Sequence, residues 1–324
     1  VDRRFLQPAG HFETLNRDIM SRVGKLVSIN KSMIRLAIIS EGVNTWPLYV
    51  AQSKRLFDAA GVAVEVTLTG SSAQQLEKLR RGDYDIGFQQ SDHVVRAVED
   101  GSDLFIFMAQ SHAPELTLIA APDIHAITAL RGKTIIVDGT RTGYSLLLRK
   151  LFKDRGFGES DMQLTEFGGS QERFDAMKRG AGSACFINPP FDSQLLALGF
   201  NSLGTSRDFF PAYPGPIAAA RRAWAAGNAA ELLAFIRGFN RAYDWLRDAA
   251  NHAEAVALLP DHLRIDAEFA RRAVAHIYRG SRPLIGAEGL QQVIDAVWDS
   301  EGYATSKASP DKYLDLSFLQ RAAA

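Results

Sequence analysis

One cysteine in 324 residues, Cys185, excludes an internal disulfide and any metal site built from several thiolates. It lies in the apolar run Ser183–Ile187, where a thiol reads as a small buried hydrophobe rather than a nucleophile. Net charge is equally scarce. The 37 Lys plus Arg meet 37 Asp plus Glu, so the formal charge is zero. A nucleic-acid surface would need a basic excess, and long-range steering of a charged ligand would need a net field. No apolar run of about eighteen residues exists to form a membrane-spanning helix. Val1–Asn30 carries Arg, Asp, Glu and His throughout, with no apolar stretch of signal-peptide type, and reads as an N-terminal arm, residues 1–32. The marks of common catalysis are missing too: no Gly-x-Ser-x-Gly elbow, no Walker loop and no His-Glu-x-x-His helix. The seven histidines are scattered without ligand spacing. No cofactor or metal is expected.

What remains is the composition of an ordinary globular chain, 46% hydrophobic and 23% charged, long enough for two domains. Its clearest organisation is the stretch Val62–Gln90. Val62, Val64, Val66 and Leu68 alternate as in a strand. Gly70 permits a tight turn, Ser72 with Gln75 reads as a capping box, and Gly82 ends the helix. Asp85-Ile-Gly-Phe88 then predicts a short buried strand. Parallel strands joined by a helix place their carboxyl ends on one sheet edge, where α/β folds bind ligands. Ser71, Ser72, Gln89, Gln90 and Ser91 are thereby directed to one crevice.

The same order recurs along the chain. Ile34–Ile39 predicts a first strand, followed by a loop holding Glu41, Asn44 and Trp46, with Pro47 suited to a first helical turn. Leu104–Met108 and Leu116–Ala121 predict further strands. A second series begins at Leu130-Arg-Gly-Lys, with a strand Thr134–Val137 and the loop Asp138-Gly-Thr-Arg-Thr-Gly. The next helix carries Tyr144, Leu147, Leu148, Leu151 and Phe152 on one face, the most regular pattern in the chain. Met162–Phe167 and Ala184–Ile187 complete that series, with Gly168-Gly-Ser170 and Asn188-Pro-Pro in their turns. Pro211-Ala-Tyr-Pro-Gly-Pro predicts a stiff crossing segment. Asn228 and Glu231 suggest a capping box, and the remainder reads as helical. Two βα series imply two α/β lobes with parallel-rich sheets.

Ile34–Ile39, Gly70-Ser-Ser with its helix, Asp83-Tyr-Asp-Ile-Gly, Leu130-Arg-Gly-Lys-Thr-Ile and Asp311-Lys-Tyr-Leu-Asp together resemble the nitrate/sulfonate/taurine-type solute-binding proteins of ABC importers. The resemblance covers about Met33 to Phe318 and rests on the order of the motifs. It implies a type II periplasmic-binding fold, α/β, with two lobes of parallel-rich mixed sheets and a ligand cleft between them. The first lobe would be discontinuous, 33–115 plus 215–318; the second would be 116–214, with a tail at 319–324. It further implies a small-molecule ligand, a membrane permease as partner, a monomer, and a location outside the inner membrane, periplasmic or lipid-tethered, with cytoplasmic the alternative. The runner-up function is a small-molecule-converting enzyme on the same fold, in pyrimidine or vitamin metabolism. The thiamine-pyrimidine synthases resemble the same family and are enzymes, but they carry a cysteine-rich iron motif that a chain with Cys185 alone lacks. Effector domains of LysR-type regulators share the fold but need a helix-turn-helix domain longer than the arm.

Within that frame the residues suggest a site. Ser71 and Ser72 on one lobe and Thr140, Thr142 and Gly143 on the other sit at helix starts, whose N–H groups favour an anionic head group. Trp46 offers a ring to cover the ligand body, and Glu41 would favour an amine or a hydrogen-bonding heterocycle. Asn44, Gln89, Gln90, Ser91, Gly169, Ser170 and Asn188 occupy equivalent loops and add neutral donors and acceptors, suited to recognition rather than acid–base catalysis. Each has a plainer reading: caps for the serines and threonines, helix packing for Trp46, a rigid turn for Asn188-Pro189-Pro190. Asp92 and His93 read as a helix-capping carboxylate and a surface imidazole, and Arg141 as an exposed loop arginine.

Overall fold

Two five-stranded sheets form, and each is built in the same order. In chain order the strands are β1 (Met33–Ile38), β2 (Ala63–Leu68), β3 (Ile86–Gln89), β4 (Leu104–Ala109), β5 (Thr117–Ala120), β6 (Thr134–Val137), β7 (Gln163–Glu166), β8 (Ala184–Ile187), β9 (Asn201–Thr205) and β10 (Ile217–Arg221). The computed structural model describes residues 32–112, 116–259, 261–263 and 265–323. The expected arm, apart from Ser32, and the expected lobe boundary at Glu115 lie outside them. One sheet runs β2-β1-β3-β10-β4 and the other β7-β6-β8-β5-β9. In both, the second strand of a βα series lies outside the first, and the third follows parallel on the other side. An antiparallel strand is then inserted before the last. That inserted strand is always the one the chain forms just after crossing over: β5 on arrival from β4, β10 on return from β9.

The crossings are tight. A Cβ on Gly215 would lie 1.7 Å from the His112 carbonyl oxygen, and one on Gly289 would lie 1.9 Å from that of Ala212. Only glycine lets these backbones meet.

Local chemistry explains most elements. The strands β3, β4, β5 and β8 are buried along their whole length, as continuous apolar runs require. The helix Gly143–Lys153 buries Leu147, Leu148, Leu151 and Phe152 as its periodicity predicts. The Asp83-Tyr-Asp-Ile-Gly motif is structural. Asp85 accepts from the Arg35 backbone N–H at 2.9 Å and from its guanidinium at 2.6 Å, pinning β1 beside β3. The late Asp311-Lys-Tyr-Leu-Asp motif covers a sheet edge: Ile106 N donates to Tyr313 O at 2.8 Å and Asp315 N to Ile106 O at 2.9 Å.

Several expectations are corrected. The cap of the helix Ser72–Arg81 is Ser71, accepting from Gln74 N at 3.3 Å. Gln75 takes no part in capping; it is fully buried and donates to the carbonyls of Ala37 at 2.8 Å and Phe88 at 3.0 Å, tying β1 to β3. Asn228 makes no side-chain cap and instead donates to the Trp224 carbonyl at 2.8 Å. Strands β9 and β10 were not anticipated. Residues 319–323, expected as a tail, continue a helix from Ser317, and Leu319 and Ala322 pack on the first core.

A small apolar cluster, with Ile136, Phe174 and Cys185, belongs to the second sheet, and two larger ones take up most of the interior. One fills the far side of the first sheet, around Phe88, Phe107, Phe235 and Phe239. The other crosses between the lobes, joining Val94 and Val95 to Leu146, Leu147, Val293 and Ile294. The helix Ala287–Glu301 is the shared element, packing on Ser91–Glu99 of one lobe and on Gly143–Lys153 of the other.

Candidate functional site

The carboxyl ends of β1, β3 and β4 converge in the first lobe, and three polar groups there stand out. Gln89 is 2% exposed, and neither polar atom of its amide has a partner among the described residues. The Oδ1 of Asn44 and the Oγ of Ser111 are likewise buried without one. Buried polar atoms are almost always hydrogen-bonded, because leaving one unmet costs about 1–3 kcal/mol. Alternation explains the placement of Gln89. Phe88 enters the aromatic core beside Phe235 and Phe239, so its neighbour must point to the other face. Gln110 braces this edge by donating to the Asn44 carbonyl at 3.1 Å. Glu41 accepts from the Tyr49 hydroxyl at 3.2 Å. Burial, reinforced by that carboxylate, pushes the Tyr49 phenol up to about 12.

Trp46 requires a correction. It is completely buried, its indole N–H donates to the Ala255 carbonyl at 2.7 Å, and its ring meets Tyr278 edge-on. It serves the core and presents no face to a ligand.

In the second lobe the loop after β6 is already supplied with carboxylates. Glu166 accepts from the Thr140 N–H at 2.5 Å, which holds its carboxyl below the usual range. The Thr142 hydroxyl donates to Asp138 at 2.6 Å and caps Ser145 N at 3.3 Å. At Gly143 a Cβ would stand 2.7 Å from Oδ1 of Asp92 and 3.2 Å from Cβ of Gln90. The first lobe thus touches the helix start of the second, with a carboxylate at the contact. Of the N–H groups expected for an anion at this helix start, those of Thr140, Thr142 and Ser145 are occupied, and a carboxylate stands beside Gly143.

Asp92 is not a cap. It is 1% exposed and pairs with Arg96, which also donates to Glu301 at 2.8 Å; Glu301 in turn pairs with Arg141. This chain of alternating charge runs from the first lobe to the second, and Lys153 with Asp299 at 2.7 Å adds a parallel bridge.

The loops after β7 and β8 meet at a separate corner. Ser170 donates to Oδ1 of Asn188, while Arg173 donates to Ser170 Oγ at 3.0 Å. Gly169 is exposed and supplies the carbonyl that accepts from Arg173 Nε at 3.3 Å. The structure therefore brings Gln90 to Gly143, and Ser170 to Asn188. Ser71 is spent on its cap, Ser72 follows as the first helical residue, and Ser91 is buried at the start of its own helix. A concavity of about 370 Å³ between the crossing segments is lined by other residues, among them His112, Pro211, Tyr213 and Glu288.

With this geometry in place, comparison with known proteins is decisive for the family. The family model described as NMT1/THI5 like matches residues 43–253, more than half of the chain. The chain belongs to the NMT1/THI5-like family. No curated protein matched the sequence.

Solved structures similar to this NMT1/THI5-like chain include the periplasmic aliphatic sulphonate binding protein SsuA of Escherichia coli. That likeness has a TM-score of 0.72 and 18% identity, covering 87% of this chain and 91% of that one. The periplasmic nitrate-binding protein NrtA of Synechocystis PCC 6803 gives 0.72 at 15% identity, covering 90% and 88%. The ligand binding component of an ABC-type import system from Staphylococcus aureus gives 0.72 at 14%, covering 90% and 99%. The expected two-lobed periplasmic-binding fold is the one found.

Three residues around this candidate site escaped the sequence reading: Gln110, Ser111 and Arg173. Gln110 and Ser111 directly follow the apolar strand β4, the same position that drew attention to Gln89 and Gln90. Arg173 gave no local signal, since a helical Arg ordinarily faces water.

Proposed function

We propose that this chain is the solute-binding component of an ABC importer, holding one small organic molecule between its lobes for transfer to a membrane permease. The observation that carries the reading is the set of buried polar groups without partners among the described residues at the strand ends of the first lobe: the Gln89 amide, Asn44 Oδ1 and Ser111 Oγ. They lie on the edge that meets the second lobe, where neutral donors and acceptors suit recognition of an intact ligand. Ser170 and Asn188, hydrogen-bonded to each other at the strand ends of the second lobe, would supply the groups from that side. Membership of the NMT1/THI5-like family and the named sulphonate-binding and nitrate-binding relatives support the same class.

The mechanism needs no covalent step. A ligand that contacts both lobes stabilises the closed arrangement by its differential affinity for it. The charge chain Asp92–Arg96–Glu301–Arg141 would be made or broken in that movement. An enzyme on this fold that used a thiol nucleophile would have to use Cys185, the chain's one cysteine. Cys185 is completely buried, and burial pushes its thiol up to about 12. A carrier of this kind would work outside the inner membrane, periplasmic or lipid-tethered, as a monomer.

The test is a thermal-shift screen with alkanesulfonates, nitrate, aromatic carboxylates, purines and pyrimidines, followed by recovery of the ligand. A true ligand at a hundred times its Kd should stabilise the protein by about 2.7 kcal/mol and be recovered unchanged. Conversion of the added compound would overturn the carrier reading, and so would an absence of stabilisation across the panel.

A further inference from the structure

Arg173 is 2% exposed, yet among the described residues it has no carboxylate in an ion pair. Its partners are all neutral: the Gly169 carbonyl, the Phe186 carbonyl and the Ser170 hydroxyl. Asp138 feels its charge but gives Oδ1 to the Thr142 hydroxyl at 2.6 Å. The Tyr144 ring lies 5.7 Å from the guanidinium carbon. Its position adds to the cost. Arg173 belongs to the first turns of the helix Ser170–Lys178 and folds back to the N-terminal end, where the helix dipole favours negative charge. A buried cation at the positive end of a helix, with no carboxylate bonded directly to it and Asp138 its nearby charge, is expensive to keep.

The hydrogen-bond chain shows where that charge is delivered. Ser170 Oγ accepts a hydrogen bond from Arg173 and donates its own hydrogen to Oδ1 of Asn188. This fixes the amide orientation. Nδ2 of Asn188 is left as the outward donor, with only a 3.5 Å approach to the Pro189 carbonyl. Both Ser170 and Asn188 stand at the carboxyl ends of parallel strands, on the edge assigned to the ligand.

We propose that Arg173 is the charge-setting residue of the second lobe. Through Ser170 it polarises and orients Asn188, so that this corner accepts an anionic head group of the ligand. Arg173 is a positioning residue: it acts through Ser170 and Asn188. The inference rests on the solute-binding reading and relocates the anion seat from the carboxylate-filled Thr140–Gly143 loop to the Ser170–Asn188 corner.

The test compares butane-1-sulfonate with its neutral isostere butane-1-sulfonamide, by calorimetric titration of the wild type and of Arg173→Gln, Arg173→Lys and Ser170→Ala. Wild type should prefer the sulfonate. Arg173→Gln should weaken sulfonate binding about ten- to hundredfold, the worth of a charge-assisted hydrogen bond, and leave the sulfonamide nearly unchanged. Arg173→Lys should restore part of the preference. Ser170→Ala keeps the cation but breaks the chain, and should reduce the preference in the same direction; it carries the test if Arg173→Gln does not fold. Equal losses for both compounds, or an unchanged preference in Ser170→Ala, would overturn the proposal. If wild type binds neutral compounds such as uracil but not the sulfonate, the proposal falls and the solute-binding reading stands. Failure to bind any compound of the wider screen sinks both.

Discussion

Gln89→Met separates a ligand-binding amide from a structural one, because the two make opposite predictions. Methionine nearly matches glutamine in length and shape, so the substitution removes polar atoms without opening a cavity. In the native chain both polar amide atoms of Gln89 are buried without partners among the described residues, on a residue only 2% exposed. Keeping such a group out of water costs about 1–3 kcal/mol. The unliganded variant should therefore be more stable than wild type by an amount up to that range, measured as the urea midpoint at constant m-value. Binding should move the other way. Loss of two hydrogen bonds worth about 0.5–1.5 kcal/mol each weakens Kd by roughly five- to hundredfold for any compound found in the screen. Stability gained and affinity lost in one variant is the signature of a side chain kept for function. A less stable unliganded protein with unchanged affinity would refute the reasoning and return Gln89 to the core.

Three further outcomes follow from the same geometry. Gln75→Leu strands the carbonyls of Ala37 and Phe88 that its amide satisfies, so it should cost about 2–4 kcal/mol in chemical denaturation; near-neutral behaviour would show that the β1–β3 edge does not depend on it. Glu301→Gln removes the charge that links Arg96 to Arg141. It should cost about 2–3 kcal/mol, below the loss for a fully buried pair because Arg141 is 76% exposed, and enlarge the radius of gyration of the unliganded protein in X-ray scattering; an unchanged radius would mean the charge chain does not hold the lobes together. Cys185 should resist a disulfide reagent in the folded protein at neutral pH and react fully in urea. Because burial raises its folded pKa to about 12, its contribution to stability is intact below the unfolded thiol's ordinary value and is lost as pH climbs toward that number; Cys185→Ala should flatten this decline, and an identical pH profile would contradict it.

The elements legible in the sequence were those whose causes are local. The helix Gly143–Lys153 announces itself through five apolar residues on one face, and β8 through a short apolar run. Strands β9 and β10 have no such signal. Their sequences, Asn-Ser-Leu-Gly-Thr and Ile-Ala-Ala-Ala-Arg, have little β-propensity and become strands because partners on either side accept them. β10 is the return crossing threaded between β3 and β4, a relation the order of residues does not display.

The candidate site divides along the same line. That polar residues would collect at strand ends was readable, because α/β topology dictates it. Which of them would be free was not. Adjacent serines at 71 and 72 made the cap ambiguous by one position, and only the extended backbone of Ser71 resolves it. Trp46, beside a proline in a Gly/Asn loop, looked exposed; its hydrogen-bond partner lies 209 residues along the chain. The carboxylates that fill the Thr140–Gly143 loop come from β7 and from the opposite lobe, so a reading of the loop alone found an anion seat where the fold had already placed anions. Arg173 looked like one more solvated helical charge. Its burial is a tertiary fact: the helix start folds it back onto Ser170 and the Gly169 carbonyl.

The account turns on capture without conversion, and native mass spectrometry of the protein with the best compound from the screen tests this directly. The account predicts one ligand per chain, held non-covalently and released at its original mass. A covalent adduct, or release of a compound of different mass, would contradict it.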